Sequence, residues 1–402
     1  MATQSFHHIV VGGGISGLSS AHYAANAGIE TLVLEQSNRL GGCIQSCAFQ
    51  SLEGYWVEAG THSCFNSYGH LLEIIEQLGL LPRITAKTKQ SYRLWQSGKR
   101  ASILSALHPL ELLLSLPRLF TTSKEHSSVS EFYERGLGKR NYRELFRPAF
   151  RSVICQDPDD YPASALFRKK PRRKDIPRNF TMPSGLGEIP AALATDANIK
   201  VHHDARATEV LPVGADFEVV LADKRRLRCK HLTLATPPDA CAALLSRMLP
   251  EAAQLISSIP MVEIDTLVVA VERQHIHIPE LAGLIGIDGD FLSAVSRDFL
   301  ADDGYRGFAF HFARGSRSVE QRLTAACTAL DVSRDNLAAY QHTASRLPAL
   351  RKGHSTLIAH LDTIINEKQI AVTGNWFDGV SVEDCITRSA AEHSRLLAAS
   401  PA

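Results

Sequence analysis

His8-Ile9-Val10-Val11-Gly12-Gly13-Gly14-Ile15-Ser16-Gly17 opens the chain and decides its fold. The apolar, β-branched run before Gly12 reads as a buried strand. The G-x-G-x-x-G spacing that follows reads as a tight turn into a helix. Gly12 permits the turn, Gly14 lets the backbone approach a pyrophosphate with no Cβ in the way, and Gly17 lets the helix lie close on the sheet. Amides at the helix start, those of Ile15 and Ser16 among them, face that anion with the positive end of the helix dipole. A small-residue helix runs to Gly28, then Thr31-Leu32-Val33-Leu34 forms a second strand ending on Glu35. Glu35 lies 18 residues after Gly17, where a carboxylate can take both hydroxyls of a ribose and argues against a 2′-phosphate. The pattern predicts an α/β chain, α+β overall, built on a Rossmann-like dinucleotide-binding domain.

The triplet alone does not separate NAD from FAD. The residues just beyond it do. Glu35, Gln36, Arg39, Gly41 and Gly42 form Glu-x-x-x-Arg-x-Gly-Gly. This resembles the FAD-binding signature of the flavin-containing amine oxidase superfamily, where the second glycine pair turns the chain back along the pyrophosphate. The resemblance implies FAD as cofactor and no metal.

Composition sets outer limits. The chain has 402 residues, enough for two or three domains and a sizeable core. Hydrophobic residues make up 45% and the formal net charge is +1, so no bulk electrostatics favour a nucleic acid. Residues 1–8 lack a basic segment followed by an apolar one, so no secretory signal is expected there. Eight scattered cysteines form no CxxC pair, and no zinc set completes Cys43 and Cys47. Reduced thiols and a cytoplasmic protein are expected. The greasy stretch 103–120 is broken by His108, Pro109, Glu111 and Pro117 and is too short to span a bilayer. It reads as a buried helical hairpin or as a surface patch in peripheral contact with membrane.

Further along, a short strand precedes a loop at 58–63, and a helix over 68–78 stops at Gly79. Residues 91–96 alternate as a strand closed by a Gln96-Ser97-Gly98-Lys99 hairpin turn. The pattern over 103–150 is helical. Arg168, Lys169, Lys170, Arg172, Arg173, Lys174 and Arg178 form the most charged run, read as a solvated loop or as an anion-attracting rim. Strands are expected at 200–203, 208–211, 217–221, 226–229, 231–235, 264–271, 284–288, 307–312 and 370–373. Helices are expected at 318–330, 334–340 and 382–398.

Three separated segments carry a narrower resemblance, to the protoporphyrinogen oxidase family. They are Pro183-Ser184-Gly185-Leu186-Gly187-Glu188-Ile189-Pro190, then Leu347-Pro348 with Gly353-His354, and Gly374-Asn375-Trp376-Phe377-Asp378-Gly379-Val380-Ser381-Val382-Glu383-Asp384-Cys385-Ile386. The resemblance implies FAD-dependent removal of hydride equivalents from a porphyrinogen, protoporphyrinogen IX or coproporphyrinogen III, with molecular oxygen reoxidising the flavin. It places Gly374 and Asn375 near the second phosphate and the amides of Gly379 and Val380 at the flavin's pyrimidine edge. It puts Ala207 at adenine, Ala235 by the pyrophosphate, and the Gly60 and Thr61 backbone by the ring. The chemistry is the flavin's, and no side-chain base stands out. His62 and His311 are weak candidates. The family's propionate-binding arginine falls on Ser91, and Arg93, two residues on, could replace it. The implied FAD-binding domain takes 1–83, 191–254 and 355–402. The substrate domain takes 84–190 and 255–354, with a helical, membrane-facing part at about 103–180. A related FAD oxidase, desaturase or amine oxidase acting on another small molecule is the alternative; the segment 310–315 lacks the lysine amine oxidases use.

Overall fold

A computed structural model describes residues 4–366 and 368–399. Two seven-stranded sheets organise it. The first holds Gln4–Val11 between two parallel neighbours, Thr31–Leu34 and Arg226–Leu234. Ile199–His202 extends one side in parallel and Ile370–Val372 pairs with the end of Arg226–Leu234. An antiparallel hairpin, Ala207–Val213 with Asp216–Leu221, closes the other side. Parallel strands buried on both faces demand continuous apolar runs, and Ile9, Val10, Leu32, Val33 and Leu232 are fully buried.

Residues 226–229 and 231–235, expected as two strands, form one. Its neighbours change along its length. Leu227 to Cys229 pair with the half-solvated hairpin, so burial alternates there; Leu232 to Leu234 lie between parallel strands, so it does not. The sequence pattern switches for that reason, without a break in the chain.

The second sheet runs Leu337–Pro348, Met261–Glu272, Tyr305–Ala313, Ser293–Ser296, Gly283–Gly286, Tyr92–Gln96, Lys99–Ala101. Paired residues share a face. One face presents Thr343, Thr266, His311, Ser293, Ile285 and Leu94 in a row across the strands. The other presents Leu267, Phe310, Ala294, Leu284 and Arg93, and packs largely under the helix Val319–Leu330. The expected helix at 334–340 is a correction: a single 3-10 turn, Arg334–Asn336, leads into the strand Leu337–Pro348. Ala338 and Ala339 favour a helix locally, but twelve residues of antiparallel ladder against Met261–Glu272 outweigh that preference.

The 103–150 stretch is helical in short pieces, Pro109–Ser115, Val129–Leu137 and Arg147–Ile154 among them. A complete capping box between Ser128 and Glu131 starts the second. The charged run is less solvated than its composition suggests. Lys170 Nζ lies 2.7 Å from Asp384, Arg168 lies 3.8 Å from Asp378, and Arg173 bridges Glu76 and Asp175. All eight cysteines are free thiols.

Candidate active site

The opening turn is built from backbone against backbone. A Cβ on Gly17 would lie 1.9 Å from the Gly12 carbonyl oxygen, and one on Gly12 would lie 2.4 Å from that of Ala235. Gly12 also has φ +110°. Gly14 faces Gly42, and the Gly41 amide donates to the Gly13 carbonyl at 2.8 Å. The helix Ile15–Asn26 has no side-chain cap and no acid in its first turn. Its leading amides are therefore open to an anion. Glu35 Oε2 accepts the Gly13 amide at 2.8 Å, and Oε1 accepts the Ser37 amide at 2.9 Å and hydroxyl at 2.8 Å. Oε2 keeps a lone pair for a ribose hydroxyl. This cradle fits a dinucleotide's pyrophosphate and ribose.

Arg39 clamps the neighbouring turn. Its guanidinium donates to the carbonyls of Leu40, Gly42 and Ile44 at 2.7–3.0 Å. Gln36 is exposed beside Glu35. Ala207 starts its strand at a bulge two residues past Ala205, whose amide donates to the Glu35 carbonyl. Gly60 abuts the same region: its Cβ would meet the Cys43 carbonyl oxygen at 2.0 Å, and the Thr61 amide donates to that oxygen at 3.1 Å.

The closing turn comes to the same place. Asn375 Nδ2 lies 3.9 Å from Cys43 Sγ. Buried Trp376 stacks on Phe377 and donates from Nε1 to the Thr236 carbonyl at 3.1 Å. His354 Nε2 donates to the Trp376 and Phe377 carbonyls at 2.6 and 3.1 Å. Ser389 Oγ reaches the Ser16 carbonyl at 2.9 Å, joining the last helix, Val382–Ala399, to the first. Sequence reasoning gave Trp376, His354 and Ser389 no role. His354 carried a signal, since it sits in a quoted motif; a lone serine on a helix carried none. Gly379 and Val380 precede that helix, whose start Ser381 caps through the Asp384 amide.

His62 and His311 meet, Nε2 to Nε2 at 2.9 Å. Burial drives the pKa of His311 down to about 4 and holds His62 well below the usual range. Lys87 Nζ donates to the His62 carbonyl at 2.9 Å and to Ser63 Oγ at 2.6 Å, and burial lowers it to about 8. Burial raises Glu58 to about 7; its carboxyl accepts the Leu186 amide at 2.7 Å and the Ser46 hydroxyl, fixing the 183–187 turn. Arg93 is not brought to this group. It is exposed on the sheet face opposite His311.

The flavin containing amine oxidoreductase family matches residues 15–391. The chain belongs to that family. Its cofactor is FAD, and it is an oxidoreductase. The 15-cis-phytoene desaturase of Narcissus pseudonarcissus is 38% identical over 79 residues, 20% of this chain and 14% of that one. The mitochondrial protoporphyrinogen oxidase of Nicotiana tabacum is 26% identical over 174 residues, 37% of this chain and 33% of that one. The matched stretches thus span a third or less of these relatives. Among solved structures, a provisionally assigned protoporphyrinogen oxidase from Exiguobacterium sp. 255-15 superposes with TM-score 0.77 at 16% identity, covering 98% of both chains. Reduced UDP-galactopyranose mutase gives 0.75 at 12% identity over 98% and 96%, and putrescine oxidase 0.71 at 13% over 99% and 100%. These likenesses establish the fold.

Proposed function

We propose that this oxidoreductase removes hydride equivalents from a porphyrinogen, protoporphyrinogen IX or coproporphyrinogen III, with oxygen as acceptor. The carrying observation is that two of the three motifs resembling the protoporphyrinogen oxidase family meet in space: His354, from the second, holds the carbonyls of Trp376 and Phe377, from the third. The likeness to the tobacco and Exiguobacterium proteins supports the same reading.

FAD, when bound, supplies the hydride-accepting ring. In the proposal, the chain holds it with the Gly12, Gly14, Gly17 and Gly42 cradle and Glu35, while Gly374, Asn375, Gly379 and Val380 close over it. The two sheets would mark the FAD-binding and substrate domains. The propionate partner needs revision, because Arg93 faces the wrong way. Arg151 is the better choice. Its Nη2 donates to the Gly286 carbonyl at 2.7 Å, its Nε is buried without a partner among the described residues, and its neighbour Ser152 lies against Ser293 on the His311 face. Arg151→Ala should raise KM for a carboxylated porphyrinogen by about one to two orders, from the 1.5–3 kcal/mol of a charged hydrogen bond.

No helix among the described residues is long and apolar enough to cross a membrane. A cytoplasmic protein touching membrane peripherally fits Leu104, Leu110, Leu113, Leu114 and Phe120, all exposed on one stretch, Phe120 by 91%.

The reading is tested by incubating FAD-loaded protein with each porphyrinogen and following porphyrin fluorescence. Growth of fluorescence faster than autoxidation supports it; a flavin-loaded protein silent on both excludes it. The desaturase alternative draws on the phytoene desaturase match, and would show instead as flavin reduction by an apolar polyene.

A further inference from the structure

Thr266, His311 and His62 lie in a line that begins inside the second sheet and ends at its junction with residues 60–63. Thr266 and His311 are direct neighbours across two antiparallel strands. Thr266 Oγ1 is 3.0 Å from His311 Nδ1, and His311 Nε2 is 2.9 Å from His62 Nε2. Thr266 is 1% and His311 4% exposed, while His62 is only half-buried.

The polarity of this line follows from counting protons. A buried hydroxyl left without an acceptor costs about 1–3 kcal/mol. Among the described residues, His311 Nδ1 is the side-chain atom that can take the Thr266 proton. If Thr266 donates, His311 Nδ1 is bare and its proton sits on Nε2. That N–H then donates to His62 Nε2, so the proton of neutral His62 sits on Nδ1. The opposite polarity strands the Thr266 proton. Two protonated Nε2 atoms cannot approach to 2.9 Å, so both rings cannot be charged. Burial of both rings and the cationic Lys87 on the His62 carbonyl favour neutrality too.

We propose that Thr266 and His311 are positioning residues that lock His62 as the neutral Nδ1–H tautomer, a directed hydrogen-bond donor rather than a base. The donor lies next to Thr61, whose amide holds the Cys43 carbonyl. Its ligand is an acceptor atom that gains negative charge as the reaction proceeds, an oxygen or a ring nitrogen, for which a preset donor costs no reorganisation. That identity rests on the oxidase reading; the tautomer does not.

The test is nitrogen-15 NMR of the histidine rings in FAD-loaded protein, with His62 and His311 assigned from His62→Gln and His311→Gln spectra. The proposal expects His62 protonated on Nδ1 and His311 on Nε2. Thr266→Val, a shape-conserving change in a strand, should mix the tautomers of both rings and lower kcat about tenfold with little change in KM, on the scale of one hydrogen bond. Thr266→Ser should restore both. His62 protonated on Nε2, or Thr266→Val spectra identical to wild type, would overturn the proposal. If no porphyrinogen turns over yet the tautomers stand as stated, the oxidase reading fails and the positioning line survives.

Discussion

The two glycine turns that meet at this site are fastened differently. The opening turn is shaped by absence: Gly12 and Gly17 leave no room for side chains, Gly14 keeps a side chain off the face toward Gly42, and the helix behind them keeps its amides unclaimed. The closing turn is shaped by presence. Trp376, His354 and Ser389 bind it to Thr236, to the start of the helix His354–Ile365 and to the first helix. The helix after it is capped by Ser381 and begins with two acids. Those acids are committed, Glu383 to the His70 and Leu71 amides and Asp384 to Lys170. The difference teaches that the first turn offers open amides to an anion, whereas the second is a clasp whose backbone is held in place by side chains.

That contrast can be broken from either end. Trp376→Ala should cost most, about 3–5 kcal/mol in denaturant unfolding, as expected for truncating a fully buried tryptophan. Gly12→Ala should cost about 2–4 kcal/mol, since it combines a positive φ with a clash on the Ala235 backbone, and should also lose FAD during purification. A Gly12→Ala protein that keeps its flavin would refute the description of the opening turn.

Acid tests the opening half through His8, which bonds Thr31 and Thr233 inside the first sheet and is driven by burial to a pKa of about 3. The unfolded chain binds this proton below about pH 6.5 and the folded chain does not, so stability falls with pH from 6.5 toward 3. Glu58 opposes part of this, since its raised pKa makes the folded carboxyl the better proton acceptor between about 4.5 and 7. The difference between wild type and His8→Gln isolates the histidine: unfolding free energies at about pH 7 and 4.5 should show a shallower fall in the variant. Equal slopes would exclude His8 as the source. Smallest is Ser381→Ala, about 1 kcal/mol for one cap, with flavin retained.

The opening turn was legible because its demands are local. A glycine at fixed spacing, an acid at the strand end and an apolar run each follow from backbone geometry over a few residues. The start of the strand Leu337–Pro348, expected as the end of a helix over 334–340, reads as helix because Ala338 and Ala339 favour one locally, while its partner strand Met261–Glu272 lies far upstream in sequence. The meeting of His62 and His311 was out of reach for the same reason: neither segment says which faces the other. Arg93 shows the limit of periodicity. Residues two apart in a strand share a face, but the pattern does not name the face. The row through Trp95 packs under Val319–Leu330 while the histidine sits opposite.

The central claim is that a porphyrinogen delivers hydride equivalents to the flavin held between these two turns. Anaerobic mixing of FAD-loaded protein with protoporphyrinogen IX or coproporphyrinogen III tests it directly. The account predicts bleaching of the flavin's visible absorbance by at least one of them, and its return when oxygen is admitted. A flavin that stays oxidised with both, yet bleaches with dithionite, would contradict it.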